Sequence, residues 1–181
     1  MRLARAALGA GLLLVCALAF AQPERERAEA QIKAAFLYKF GDFVEWPPRA
    51  FARPDSSFTI GVIGADAIAT ELQQAVSGRT VHERAVTVRR LKPADALSDV
   101  HVLFIGRSEG EHLAAILAAA RGLPLLVVTE SADALAQGST INFVQEGNRV
   151  RFDVALPPAE RASLRISARL LAVARKVVTS S

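Results

Sequence analysis

Three short apolar runs, each followed by turn residues and a helical pattern, constrain the fold of this chain more than any other feature. The runs cover residues 58–63, 101–106 and 124–129. Continuous apolar runs are typical of strands covered on both faces, as the central strands of a parallel sheet are. Strands that alternate with helical segments predict an α/β domain with helices on both faces of the sheet.

The segments between these runs carry helix and strand signals. Asp66 is predicted to be the N-cap of the helix after the first run, because its carboxylate can accept hydrogen bonds from free N–H groups. Ser108 and Glu111 form a capping-box pattern, which predicts the start of the helix after the second run. A further strand with alternating residues is predicted over residues 85–89.

The last part of the chain has a different pattern. Residues 140–144 and 149–154 alternate between apolar and polar side chains, and turn residues separate them, so we predict an antiparallel hairpin. One long helix is predicted from Pro157 to about Val178. Basic side chains would share one face of this helix, either as a solvated face or as a surface that attracts an acidic partner: Arg161, Arg165, Arg169 and Lys176.

Taken together, these elements predict one three-layer α/β domain over residues 22–181. Its sheet should be mostly parallel, with the antiparallel hairpin at one edge and helices on both faces. A chain of 181 residues suits a single domain, and 51% hydrophobic with 22% charged residues excludes intrinsic disorder.

The first 21 residues have the pattern of a secretory signal peptide that is removed from the mature protein. Two arginines precede an apolar run too short to span a membrane, and Ala19-Phe20-Ala21 forms a small-residue cleavage site. We therefore expect a periplasmic protein that does not itself span the membrane. Cleavage would lower the net charge from +4 to +2 and remove Cys16, the only cysteine. Neither nucleic-acid binding nor thiol chemistry is predicted.

Aromatic residues are concentrated in and after the first helix of the mature chain. One face of this helix is predicted to consist of Ile32, Ala35, Phe36, Phe40 and Phe43, but other faces are apolar as well. A helix that is apolar on several sides is either deeply buried or in contact with a partner, and both interpretations stay open. The residues that we expect first in a partner contact are Leu37, Tyr38, Phe43 and Trp46.

The loops after the parallel strands are the expected location of a small-ligand site. Asp66, Arg107, Ser108 and Glu130 lie in these loops. An anion could bind at the helix start beside Arg107. Helix capping explains Asp66 and Ser108 equally well, so the two interpretations compete.

Enzymatic chemistry has weak support in the sequence. Gly106-Arg107-Ser108-Glu109-Gly110 matches the spelling of a serine-hydrolase elbow, but no aspartate-then-histidine pair follows in the expected order. The three histidines are not spaced as metal ligands, and no nucleotide-binding motif is present. We therefore predict a protein that is not an enzyme and that has no cofactor and no bound metal.

The segment over residues 32–47 closely resembles the signature "KAAFLYNFAKFVEWP" of the YfiR-like family of exported proteins. Further similar segments occur in order along nearly the whole mature chain. The resemblance implies a homodimeric periplasmic regulator that binds and restrains the periplasmic sensory region of an inner-membrane diguanylate cyclase. By restraining the cyclase, such a regulator lowers cyclic di-GMP and hence adhesion and biofilm formation. The alternative is a small-ligand-binding sensor component for a histidine kinase or another membrane receptor. His101 stands where family members often have a cysteine, so their disulfide control is not expected here.

Overall fold

The computed structural model describes residues 24–180 of the chain. The predicted signal peptide, residues 1–21, lies outside the described residues and stays a prediction. The first helix, α1, covers residues 24–43. The first half of the chain then continues through β1 (Val44–Glu45), a 3-10 turn (Pro48–Ala50), β2 (Phe58–Ile63), α2 (Asp66–Ala75), β3 (Thr80–Val81) and β4 (Arg84–Leu91).

The second half of the chain begins with the predicted central strands and ends with short elements. Its order is β5 (Val102–Ile105), a 3-10 turn (Arg107–Glu109), α3 (Leu113–Ala120), β6 (Leu126–Thr129), α4 (Ala134–Gln137), β7 (Ile141–Glu146), β8 (Arg149–Ala155), α5 (Leu156–Arg161), β9 (Arg165–Ile166), α6 (Ala168–Val173) and β10 (Lys176–Val178).

Eight strands form one mostly parallel sheet in the order β10-β8-β7-β6-β5-β2-β4-β3. Strands β4, β2, β5, β6 and β7 are parallel, and β7 and β8 form the predicted antiparallel hairpin. The three apolar runs provide β2, β5 and β6, whose residues are all buried. The α/β fold class predicted from these runs is confirmed.

Both faces of the sheet are covered by helices, which gives the domain two hydrophobic clusters. The larger cluster joins α1 and α2 to one face and contains the aromatic rings of Phe40, Phe143 and Phe152. The smaller cluster joins α3 to the opposite face of the central strands. The two clusters are separate because successive side chains of a strand point to opposite faces.

The buried face of α1 differs from the predicted one. Ile32 and Ala35 are exposed, and Phe36 and Phe43 are only half-buried. The buried residues of α1 are Ala30, Lys33, Ala34, Leu37, Phe40 and Gly41. Both sets have helical spacing, so periodicity alone could not decide which of them packs on the sheet.

The single long helix predicted for the C-terminal segment is wrong. The chain forms α5, β9, α6 and β10 instead, and Ser163 takes a left-handed conformation with φ 58° between α5 and β9. Strand β9 pairs with β1, and β10 pairs with β8. The basic residues at positions 161, 165, 169 and 176 therefore do not share one helical face, and β10 displaces the hairpin from the edge of the sheet.

Both predicted helix caps are wrong in detail. Ala65 occupies the N-cap position of α2, and Asp66 is the first helical residue, with no side-chain capping bond. Helix α3 begins only at Leu113, after a 3-10 turn that contains Ser108. The Ser108 hydroxyl donates a hydrogen bond of 2.8 Å to the Gly64 carbonyl, so it joins two loops and caps neither helix.

Candidate functional site

A cavity of about 480 Å³ lies where β5 and β6 end and the start of α1 passes over them. Its charged lining includes Glu29 and Lys33 from α1, and Arg107 and Glu130 from the two strand ends. Lys33 and the Glu130 side chain are almost fully buried, with 4% and 8% of their surface exposed. Buried charges of this kind persist only when they are paired.

The four charged side chains satisfy one another. The Lys33 ammonium donates to both Glu29 and Glu130. Arg107 Nη2 lies 3.2 Å from Glu130 Oε2 and 3.3 Å from Glu29 Oε1. The Arg107 backbone N–H adds a hydrogen bond of 3.1 Å to Glu130 Oε1. Glu130 thus accepts three hydrogen bonds, and two carboxylates balance two cations.

The protonation of Glu130 depends on this network. Burial alone would raise the pKa of Glu130, but hydrogen bonds from Lys33 and Arg107 outweigh it and hold that pKa below its ordinary value. The bond to Glu130 likewise raises the pKa of Arg107. The cluster is neutral in total and has no free charge to attract a ligand. Its chemistry supports a structural role, which is to hold α1 over the ends of β5 and β6.

The structure brings together only part of the predicted ligand site. Arg107 and Glu130 are in contact, whereas Asp66 forms an exposed ion pair of 3.4 Å with Arg90. Sequence reasoning missed Glu29 and Lys33, although their i, i+4 spacing indicated a pair on one face of α1. Nothing local to the sequence places these two residues over Glu130.

The residues predicted for partner contact have different environments. Leu37 is fully buried in the core, which removes it from a contact surface. Tyr38 is half-buried, and its hydroxyl donates to the Thr80 carbonyl at 3.1 Å. Half-buried Trp46 packs edge-on against Phe58. Sequence reasoning missed Ile32, which lies on the same side of α1 as half-buried Phe43 and is 43% exposed.

His101 is a buried anchor between the strands and the segment after β1. Its ring stacks between Phe51 and Phe58, with centroid distances of 4.4 and 5.2 Å. Nδ1 accepts the Thr59 N–H at 3.1 Å, so Nε2 carries the proton and donates to the Ala50 carbonyl at 3.0 Å. Burial lowers the pKa of His101, which keeps this ring neutral.

The hydrolase pattern around Ser108 does not form a triad. The Ser108 hydroxyl is directed at the Gly64 carbonyl, and His112 Nδ1 contacts Glu109 at 3.0 Å. Within residues 24–180 no group of three or more His, Cys, Asp or Glu side chains is placed to hold a metal ion. No helix in the same range is long and apolar enough to cross a bilayer.

The fold and the site together define an α/β domain whose buried charged residues serve its own packing. The sequence profile described as YfiR/HmsC-like matches residues 30–175, and the chain belongs to this family. The family is one of periplasmic, non-catalytic regulators, and membership points to the regulation of diguanylate cyclase signalling.

Comparison with individual proteins adds little to the family assignment. No curated protein gives a significant sequence match to the chain. A crystal structure described as a conserved domain protein from Vibrio cholerae O1 biovar eltor matches with a TM-score of 0.46 and 13% identity. The match covers 66% of this chain and 54% of that one, so this chain spans about half the length of the solved structure.

Proposed function

We propose that this protein binds the periplasmic sensory region of an inner-membrane diguanylate cyclase and restrains the enzyme. The observation that carries this proposal is the YfiR/HmsC-like match, which extends over residues 30–175 and thus over nearly all of the described fold. An exported regulator with no enzymatic step of its own must act through binding. Its effect would come from a higher affinity for the inactive conformation of the cyclase, which shifts the equilibrium toward that state.

The outer side of α1 is the contact surface that the structure favours. Ile32, Phe36 and Phe43 recur there at helical spacing, and Ile32 is one of two large apolar residues with high exposure in the described chain. Half-buried Tyr38 lies on a different side of α1, where its hydroxyl donates to the Thr80 carbonyl, so it is not part of this stripe. Trp46 packs against Phe58 instead. Partly exposed aromatic and aliphatic side chains are the groups that most often dominate the energy of protein–protein contacts.

The proposal is tested by paired variants in the bacterium that carries this gene. Deletion of the gene should raise cyclic di-GMP, and the wild-type gene should restore the lower level. Ile32→Glu should fail to restore it, because a charge in the apolar stripe opposes the contact. Val173→Glu is the matched control, because Val173 is 57% exposed but lies on α6. An unchanged cyclic di-GMP level after deletion would refute the proposed function.

Binding should be measured directly with the purified periplasmic regions of the membrane cyclases of the same bacterium. We expect Ile32→Glu to weaken binding at least tenfold and Val173→Glu to leave it unchanged. If both variants bind like the wild type, the contact surface lies elsewhere, although the regulatory function stands. The same measurement on periplasmic regions of sensor kinases distinguishes the alternative class of partner.

A further inference from the structure

A second and larger cavity, of about 1120 Å³, lies on the face of the sheet opposite to α1. It extends over β7, β8 and β10 and is lined by the short helices α4 and α5 and by the end of α3. Typical small-ligand sites have volumes of about 300–1,000 Å³, so the space suffices for a ligand of ordinary size. The two cavities meet at Asn142 and Arg175, which line both of them.

Asn142 is a buried side chain with an unused donor. It is 8% exposed, and its Oδ1 accepts a hydrogen bond of 2.7 Å from Thr129 Oγ1. Its amino group has no hydrogen-bond partner among residues 24–180. Because no fully buried polar side-chain atom in that range lacks a partner, the amino group must be open to the cavity. Such an open, oriented donor is suited to an oxygen atom of a ligand.

Arg175 supplies a second donor beside the first. Its Nε and Nη2 bind the two carboxylate oxygens of Asp153 at 2.8 and 2.5 Å. Asp153 lies opposite Asn142 in the β7–β8 register and is almost fully buried. The pair fixes the plane of the guanidinium group, while Nη1 has no acceptor among the described residues. Asn142 and Arg175 therefore each bring one unused donor to the region where the cavities join.

The rim of the large cavity is cationic. Arg121, Arg161 and Lys176 line it, and none of them forms an ion pair within the described part of the chain. Asp133 is the only lining acid besides the paired Asp153. Much of the remaining wall is apolar, with Leu117, Leu135, Val144, Pro157 and Val178 among its residues.

We propose that this cavity binds a small amphiphile whose carboxylate or phosphate group is held by Asn142 Nδ2 and Arg175 Nη1. The apolar part of the ligand lies along the wall of the large cavity, and the rim cations attract the anionic head. The chemistry that the site recognises is an oxyanion attached to an apolar body. A fatty acid and a phosphate-bearing lipid fragment share this chemistry. The inference concerns the isolated protein and does not depend on the partner proposed above.

Four ten-carbon probes distinguish the features of this site. Decanoate, decyl phosphate, decanol and decyltrimethylammonium are titrated into the purified protein below their micelle-forming concentrations, and binding is followed by calorimetry and thermal shift. Decanoate or decyl phosphate should bind and raise Tm, and the stronger of the two identifies the head group. Decanol should bind at least tenfold more weakly, and the cation should not bind. Equal affinity for decanol and both anions, or no binding by any probe, overturns the proposal.

Two variants test the assigned residues against one control. Asn142→Asp keeps the acceptor for Thr129 but replaces the donor by a negative charge, so the affinity for the anion should fall at least tenfold. The double change Arg161→Gln with Lys176→Gln leaves the floor of the cavity intact, and it should weaken binding several-fold and reduce its salt dependence. Arg149→Gln is the control outside both cavities.

The outcome can be decided even if one variant is damaged. If Asn142→Asp fails to fold by circular dichroism, the double rim variant decides. Unchanged anion affinity in every folded variant overturns the assignment. If the wild-type protein binds a cyclase but none of the probes, this inference alone is refuted. If it binds an anionic probe but no cyclase, only the proposed function is refuted.

Discussion

Lys33 shows how one buried charge can set the position of a helix. It is 4% exposed, and its ammonium group lies between Glu29 of its own helix and Glu130 at the end of β6. A buried cation between two carboxylates is tolerated because each charge has a partner. Removal of this one group leaves Glu130 with Arg107 as its remaining cation.

We expect Lys33→Met to lower the free energy of unfolding by about 2–3 kcal/mol at pH 7, because a buried carboxylate loses a partner. The pKa of Glu130 is held below its ordinary value, so the stability that ionised Glu130 contributes is present at neutral pH and is lost as the pH falls through that lowered pKa. The difference in unfolding free energy between the wild type and the variant should therefore become smaller in acid. Urea unfolding at pH 7 and pH 4 measures it, with exposed Lys39→Met as a control that should change little.

His101 also makes a pH-dependent contribution to stability. Unlike Glu130, it contributes in its neutral form. Because burial lowers its pKa below the ordinary 6.5, the stability from the neutral ring is complete above pH 6.5 and is lost as the pH falls below it. Protonation would break the Thr59 N–H bond to Nδ1, and Arg84 adds repulsion that Asp99 partly offsets.

We expect the wild-type protein to lose up to about 1.4 kcal/mol of unfolding free energy per pH unit from this ring as the pH falls below 6.5. His101→Gln should lack that component while being less stable at pH 7.5. His112→Gln, at an exposed position, is the control for the loss of an imidazole and should cost less stability than His101→Gln at pH 7.5. Denaturant unfolding at intervals from pH 7.5 to pH 5 would contradict this expectation if the His101→Gln and wild-type curves stayed parallel.

At the scale of elements, the ends of β2 and β5 approach each other so closely that only glycine fits. A Cβ atom on Gly106 would lie 2.3 Å from the Gly64 carbonyl oxygen, which is a backbone atom that cannot turn away. Gly106 is the first glycine of the hydrolase-like pattern, and this close packing accounts for it without a catalytic role. The second glycine, Gly110, has a helical φ of −51°, and a Cβ atom there would meet only the Arg107 carbonyl oxygen, at 3.7 Å.

We therefore expect the two glycines of the same motif to respond in opposite directions. Gly106→Ala should destabilise the protein by about 3 kcal/mol or more, because the strand ends must separate. Gly110→Ala should be neutral or stabilise it by about 0.4–1 kcal/mol, since alanine restricts the unfolded chain. Thermal unfolding of both variants measures the contrast, and similar losses in the two would show that the strand ends are free to move apart.

At the scale of the whole molecule, the C-terminal segment completes the sheet. Strand β10 adds to β8 at the edge, and Arg175 just before it neutralises Asp153. The segment therefore contributes both a strand and the counter-ion of a buried carboxylate.

A chain that ends at Ala174 should be less stable than the full chain, because β10 is lost and Asp153 is then buried without its cation. A chain that ends at Val178 retains both Arg175 and β10 and serves as the control. We expect it to unfold like the full protein in urea. Equal stability of the two truncated chains would mean that Asp153 finds another counter-ion or becomes hydrated.

Much of the fold could be predicted because its signals are local. The apolar runs of β2, β5 and β6 indicate buried strands without knowledge of their neighbours, and Gly147 marked the hairpin turn between β7 and β8. The prediction of a C-terminal helix failed because the contacts that break this segment are not local. Its apolar spacing suits a helix, but the Ser167 N–H bonds to the Phe43 carbonyl, more than 100 residues away, and no glycine or proline marks the break at Ser163.

The candidate sites were less predictable than the fold. Arg107 and Glu130 were found because they follow adjacent parallel strands, which end at the same edge of a sheet. Lys33 and Asn142 were missed because their roles depend on burial and on partners that are distant in the chain. Leu37 was expected at a surface and lies in the core because α1 has two apolar stripes.

The amino-acid sequence by itself determined the α/β class, the central strands and the family, since short-range hydrophobic patterning and a contiguous signature encode all three. Only the tertiary structure decided which stripe of α1 faces the sheet, how the last segment divides into strands and short helices, and which charged residues neutralise one another. These outcomes depend on desolvation and pairing between distant segments, and such energies exist only once the chain has folded.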